Sequence, residues 1–245
     1  MVSVFYEDGL GTYGRNLSVL KKSRFRRFSE FVLGLKPYKH VPVKIMACHP
    51  HLLDLPQTRT KYEIETMPSL DWSSDNRLMM NSVFSLDESY RFDESVIIFD
   101  VVRVNYKQSN IHVIHLMDEC IKTVLDICSY NDVICKPHPR SKEIGCVRVK
   151  SFRQTSVPIE IIYSSITDLE NRILIGNLST ALFTPRMMFG KEPQVVSLHR
   201  IIVPDNKVYS SLFDKCKEMY NNKERVVAPD SIEDLKRVLK TMVKR

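Results

Sequence analysis

The pattern of apolar and polar positions changes after Glu94. From Ser95 to Val102 the chain reads SVIIFDVV, a nearly continuous apolar run of the kind buried on both faces of a parallel sheet. Apolar positions 113, 114, 117, 121, 124, 125 and 128 then recur at helical spacing, which predicts an amphipathic helix over 110–128. Short β-prone runs bounded by turn-formers predict strands at 132–135, 158–163, 172–175 and 194–197. Pro229-Asp230-Ser231 opens a last helical pattern that continues to Val243, with Asp230 or Ser231 as its cap. Strand and helix alternate from residue 96 onward, the signature of a doubly wound α/β domain.

Ahead of that point the pattern is weaker. Residues 1–6 predict a short strand that runs into the glycine-punctuated loop Glu7-Asp8-Gly9-Leu10-Gly11-Thr12-Tyr13-Gly14. A basic helix follows over 21–33, with Phe25, Phe28 and Val32 on one stripe, and then a second strand over 41–47. Residues 49–95 are polar and rich in turn-formers, which predicts loops and a domain connection. The chain is therefore divided into 1–95, a domain at 96–228, and a C-terminal helix at 229–245.

Composition narrows the class. An apolar fraction of 43% in 245 residues suits a folded core and excludes disordered and collagen-like chains. No run of eighteen apolar residues occurs and the first residues lack a secretory-signal pattern, so a cytoplasmic location is expected. The six cysteines have no paired spacing of zinc or redox type and are expected to be reduced, mostly buried thiols. A net charge of +7 favours an anionic partner: nucleic acid, an acidic membrane surface or a phosphorylated substrate. The basic helix at 21–33 is either a solvated face or a peripheral contact with acidic lipid headgroups. Nucleic acid is disfavoured, because the cations are spread out and no helix-turn-helix, zinc-finger or RNA-motif signature is present.

Three segments carry candidate chemistry. Lys136-Pro137-His138-Pro139-Arg140 follows a predicted strand, where ligands of open α/β sheets bind. Its prolines pin the backbone around one imidazole, and two cations flank it. His138 can donate a hydrogen bond to a phosphate oxygen while Lys136 and Arg140 supply charge; the other reading is a rigid turn with a solvated histidine. His49-Pro50 lacks flanking cations and is read as a turn. Glu7-Asp8-Gly9, at another strand end, places a carboxylate that could serve as a general base, although paired acids before glycine are also common in turns. Gly176-Asn177-Leu178-Ser179-Thr180-Ala181 joins a strand to a helix start, where two hydroxyls and opening amides make an anion site; simple capping by Ser179 is the alternative. Phosphate-loop, dinucleotide, nucleophile-elbow and metalloprotease motifs are absent, and His112 and His115 stand three residues apart with no carboxylate cluster nearby, so no metal site is expected.

Taken in order, Glu7-Asp8-Gly9, His138-Pro139 and Ser179-Thr180 resemble three motifs of bacterial sialyltransferases. The strings YEDGLGTY, KPHPR and NLSTALFTP look most like glycosyltransferase family 52, the lipooligosaccharide sialyltransferases, and the related polysialyltransferases. The resemblance spans residues 4 to about 200. It implies a GT-B fold of two Rossmann-like domains, and metal-independent, inverting transfer of sialic acid from CMP-sialic acid to a glycan acceptor, with no cofactor. Asp8 would be the base and His138 would hold the CMP phosphate and stabilise the leaving group, with Ser179 and Thr180 on the same phosphate; Glu7, Gly9 and Pro139 support their motifs. Lys136 and Arg140 join the phosphate group on electrostatic grounds. Other cytidine-nucleotide donors (CMP-Kdo, CDP-glycerol), a hexose donor, and a non-catalytic anion-binding remnant are the alternatives. A homodimer is compatible with this reading. Because a GT-B enzyme carries several βα units before its acidic motif, 1–95 is expected to be a partial acceptor-side domain, 96–228 a complete donor domain, and the chain alone poorly active.

Overall fold

A computed structural model describes residues 4–6, 44–53, 63–67, 74–86, 93–101, 108–138, 141, 149–152 and 157–243. The chain forms two compact units, Met1–Ser69 and Leu70–Arg245, so the division lies ahead of the change of texture at residue 95. In the first unit β1 (Val4–Tyr6), β2 (Lys44–Ala47) and β3 (Glu63–Thr66) form a parallel sheet in that order. Along β2 the period of two is plain, since Ile45 and Ala47 are buried while Lys44 and Met46 are half-buried. β3 falls where loops were expected. Its residues Glu63-Ile64-Glu65-Thr66 are mostly exposed, and it is held by pairing with β2 and by the Lys44–Glu65 ion pair, both long-range features without a local signal.

The second unit is built on a parallel sheet of β4 (Val96–Phe99), β5 (Val133–Lys136), β6 (Lys150–Ser151), β7 (Ile173–Gly176), β8 (Gln194–Ser197) and β9 (Val226–Val227). The strand order is β6-β5-β4-β7-β8-β9. Numbered within this sheet it is 3-2-1-4-5-6, the Rossmann-like order of a doubly wound α/β fold. Every residue of β4, β5 and β7 is buried, as the continuous apolar runs predict.

Among the described residues the helices are α1 (Ser74–Val83), α2 (Gln108–Leu125), α3 (Ile159–Ser164), α4 (Thr180–Phe189), α5 (His199–Ile202), α6 (Lys207–Glu218) and α7 (Ile232–Val243). Val96, Ile98, Cys135, Ile175 and Val196 share one core with Met117, Ile121 and Val124 of α2 and with Leu235 and Leu239 of α7. Each such large apolar side chain contributes about 1.5–3 kcal/mol on burial. The alternate strand residues Ile97, Ile134, Leu174 and Val195 are equally buried and point to the opposite face, where α4 packs on β7 and β8.

Several expectations are corrected. The helix α3 (Ile159–Ser164) stands where a strand was expected over 158–163. A short apolar run does not distinguish the two, and Pro158 at the N-cap with Glu160 in the first turn favours the helix. Residues 74–83 are helical where loops were expected, and α5, α6 and β9 occupy 198–227, where no element was predicted beyond the strand at 194–197. The C-terminal helix packs into the main core, where Leu235 and Leu239 are fully buried. Its cap is Ser231, whose Oγ accepts the Asp234 N–H at 3.1 Å, while the Asp234 carboxylate accepts the Asp230 N–H at 3.3 Å.

Cys120, Cys128, Cys135 and Cys216 are buried thiols outside any disulfide and Cys48 is a half-buried one; Cys146 lies outside the described residues. Burial pushes the Cys120 thiol up to about 12, so it stays protonated. Among the described residues no helix is long and apolar enough to cross a membrane. The predicted basic helix at 21–33 lies outside those residues.

Candidate functional site

In a doubly wound sheet the successive crossovers leave opposite sides of the first strand, and a crevice opens at the carboxyl ends where they part. Here that point lies between β4 and β7, with β5 on the other flank of β4. A cavity of about 820 Å³ occupies it. The ends of β4 (Phe99, Asp100), β5 (Lys136, Pro137, His138) and β7 (Asn177, Leu178, Ser179) all line it, with Thr180 at the start of α4. Val113 and Ile114 of α2, Pro158 to Glu160 at the start of α3, Tyr209 of α6, and Val101, Val157 and Ala181 complete the wall.

The sequence delivers these side chains through strand register. Phe99 of β4 stands opposite Lys136 of β5 and opposite Gly176 of β7, so all three strands end at one level. Gly176 permits the close approach, because a Cβ there would stand 3.0 Å from the Phe99 carbonyl oxygen. The Asp100 N–H donates to the Lys136 carbonyl at 3.2 Å, which extends the pairing one residue into the site. Beyond it, the His138 carbonyl accepts the Ser141 N–H at 2.8 Å.

Lys136 is 6% exposed, with its ammonium 5.3 Å from the centre of the Phe152 ring. Burial lowers its pKa to about 8, against an opposing pull from Glu160. It therefore remains largely cationic near neutrality, with less water to screen its charge from an anion. His138 is half-buried at the same mouth.

Across the cavity, the Asn177 side chain accepts the Leu178 N–H at 2.9 Å and shapes the turn that leads into α4. Ser179 is the N-cap of α4 in an extended conformation, but its side chain makes no capping hydrogen bond. Its Oγ is buried and has no hydrogen-bond partner, so capping, the alternative reading of Ser179, does not account for this hydroxyl. The opening amides of an α-helix have no intrahelical acceptor and carry the positive end of the helix dipole, and Ser179, Thr180 and Ala181 present this end of α4 to the cavity. Lys136, His138, Ser179 and Thr180 thus share one cavity.

Glu7, Asp8, Gly9, Pro139 and Arg140 lie outside the described residues. His49-Pro50 belongs to the first unit, where Pro50 begins the short 3-10 helix Pro50–Leu52. His112 and His115 are on an exposed face of α2, and among the described residues no group of His, Cys, Asp and Glu is arranged to hold a metal ion. Asp100, Glu160 and Tyr209 were not singled out in the sequence. Asp100 is buried and its Oδ1 accepts the Val101 N–H at 2.8 Å. Its local signal is an acid that interrupts an apolar run at the carboxyl end of a buried strand. Glu160 and Tyr209 reach the cavity only through tertiary packing. Beyond the cavity lining, the Ser197 hydroxyl and His199 Nδ1 lie 2.9 Å apart, and burial lowers His199 to about 4, which keeps the imidazole neutral.

Comparison of the chain with protein-family models, with curated proteins and with solved structures finds no match in any of the three.

Proposed function

We propose that the cavity is the donor site of an inverting, metal-independent glycosyltransferase that transfers sialic acid from CMP-sialic acid to a bacterial surface glycan. The observation that carries this reading is the convergence of Lys136 and His138 with Ser179 and Thr180 on one cavity at the switch point of the sheet. Motifs some forty residues apart in sequence supply a cation, an imidazole, two hydroxyls and a helix N-terminus, the groups that recognise a phosphate.

In this reading the phosphate lies between the end of β5 and the start of α4. His138 and Lys136 neutralise charge that builds on it as the bond to the sugar breaks, and donors already in place there account for a few kcal/mol of barrier reduction. The apolar wall around Val113, Ile114 and Pro158 accepts the nucleoside. Asp8 is assigned as the base that deprotonates the acceptor hydroxyl, and Arg140 as a second cation at the phosphate, both on the sequence motifs. The second unit is then the donor domain of a GT-B enzyme, working at the cytoplasmic face of the membrane.

The test is a panel of donors in equilibrium binding: CMP-sialic acid, CMP-Kdo, CDP-glycerol and UDP-hexoses. CMP-sialic acid is expected to bind without added metal and to be displaced by CMP. Binding of the hexose nucleotides alone would contradict the assignment.

A further inference from the structure

Pro185 lies inside α4. A proline has no N–H to donate, and its ring crowds the carbonyl four residues earlier, which here is Ala181. Ala181 belongs to the opening turn of α4 that lines the cavity, so an unsatisfied carbonyl there would loosen the turn carrying Ser179 and Thr180. The missing donor comes from another element: the Tyr163 hydroxyl of α3 donates to the Ala181 carbonyl at 2.7 Å. Tyr163 is 1% exposed, and its ring meets Phe99, at the end of β4, edge-on with centroids 6.3 Å apart. Burial holds its pKa well above the usual value, so the hydroxyl keeps its proton. A single buried phenol therefore joins α3, α4 and the end of β4, three walls of the cavity.

We infer that Tyr163 is a positioning residue for the phosphate half of the site: it supplies the hydrogen bond that Pro185 cannot, and so fixes the opening turn of α4 in its anion-facing geometry. The inference rests on the donor-site reading above and names the device that pre-arranges that site.

The experiment is a double-substitution cycle in the full chain, with CMP and cytidine as probes and melting temperature recorded for each variant. Tyr163→Phe removes only the hydroxyl, and Pro185→Ala restores an N–H able to reach Ala181. Tyr163→Phe is expected to weaken CMP binding roughly tenfold, equivalent to about 1.4 kcal/mol, and to leave cytidine binding unchanged. Adding Pro185→Ala is expected to recover most of that loss. Equal losses for CMP and cytidine, or no recovery in the double variant, overturn the proposal. Loss of CMP binding in His138→Ala beside an unaffected Tyr163→Phe would leave the donor reading standing and remove Tyr163 from it. If the wild-type chain binds neither probe, the donor reading fails, and amide hydrogen exchange over 180–184 decides the inference. Faster exchange in Tyr163→Phe, restored in the double variant, upholds the positioning role; unchanged exchange rejects it.

Discussion

Lys136 shows how one strand residue acquires a chemical role. It ends β5 and is buried against Phe152, and its pKa falls to about 8 from an ordinary 10.5. Between those values the unfolded chain still holds a proton that the folded chain has released, so this lysine's contribution to stability rises with pH across that window. Anion binding runs the other way, because the cation is lost as pH climbs past about 8. CMP affinity is expected to fall several-fold from about pH 7 to about pH 9. Lys136→Met should bind more weakly at the lower pH and lack this step; an unchanged profile in the variant would assign the pH dependence elsewhere. His199 titrates in the acid range. Its folded pKa of about 4 lies below the ordinary 6.5, so the stability it confers is complete above 6.5 and is lost as pH falls through that window. His199→Leu is expected to unfold at lower pH in an acid titration, and an unshifted midpoint would count against this. At this scale the sequence pointed to Lys136, His138, Ser179 and Thr180, which line one cavity, because they sit in short motifs. It concealed Asp100, whose importance depends on where β4 ends relative to β5 and β7.

Among the elements, those with long uninterrupted patterns were legible. The apolar run of β4 and the helical spacing of α2 predicted their type and, to within a few residues, their extent. α3 was misread because six residues of Ile, Glu, Tyr and Ser fit either period, and only Pro158 and Glu160 at its start favour the helix. Two substitutions test the element packing. Leu235→Ala in α7 is expected to cost about 2–5 kcal/mol in denaturant unfolding, since the side chain is fully buried against the α2 side of the sheet. A cost below about 1 kcal/mol, as for an exposed site, would contradict this packing of α7. Gly176→Ala pushes a methyl toward the Phe99 carbonyl, and about 1–3 kcal/mol of destabilisation is expected from that crowding. A neutral result would show that β4 and β7 separate easily at the site.

At the scale of the molecule, the alternation of strand and helix was enough to predict a doubly wound domain, but the order β6-β5-β4-β7-β8-β9 required long-range pairing that no local pattern encodes. That order matters because it sets the switch point beside β4, and the His138 and Ser179-Thr180 motifs then open onto the same crevice. Residues 49–95 were the least legible, since β3 and α1 are polar elements held by tertiary contacts. The claim that unites these scales is that the crevice receives a cytidine monophosphate group. Calorimetric titration of the chain with CMP, beside the His138→Ala variant, tests it most directly. The account predicts one site per chain and roughly ten- to hundredfold weaker binding in the variant, the range for losing a hydrogen bond to a charged group. No binding by the wild-type chain, or equal binding by both, would contradict it.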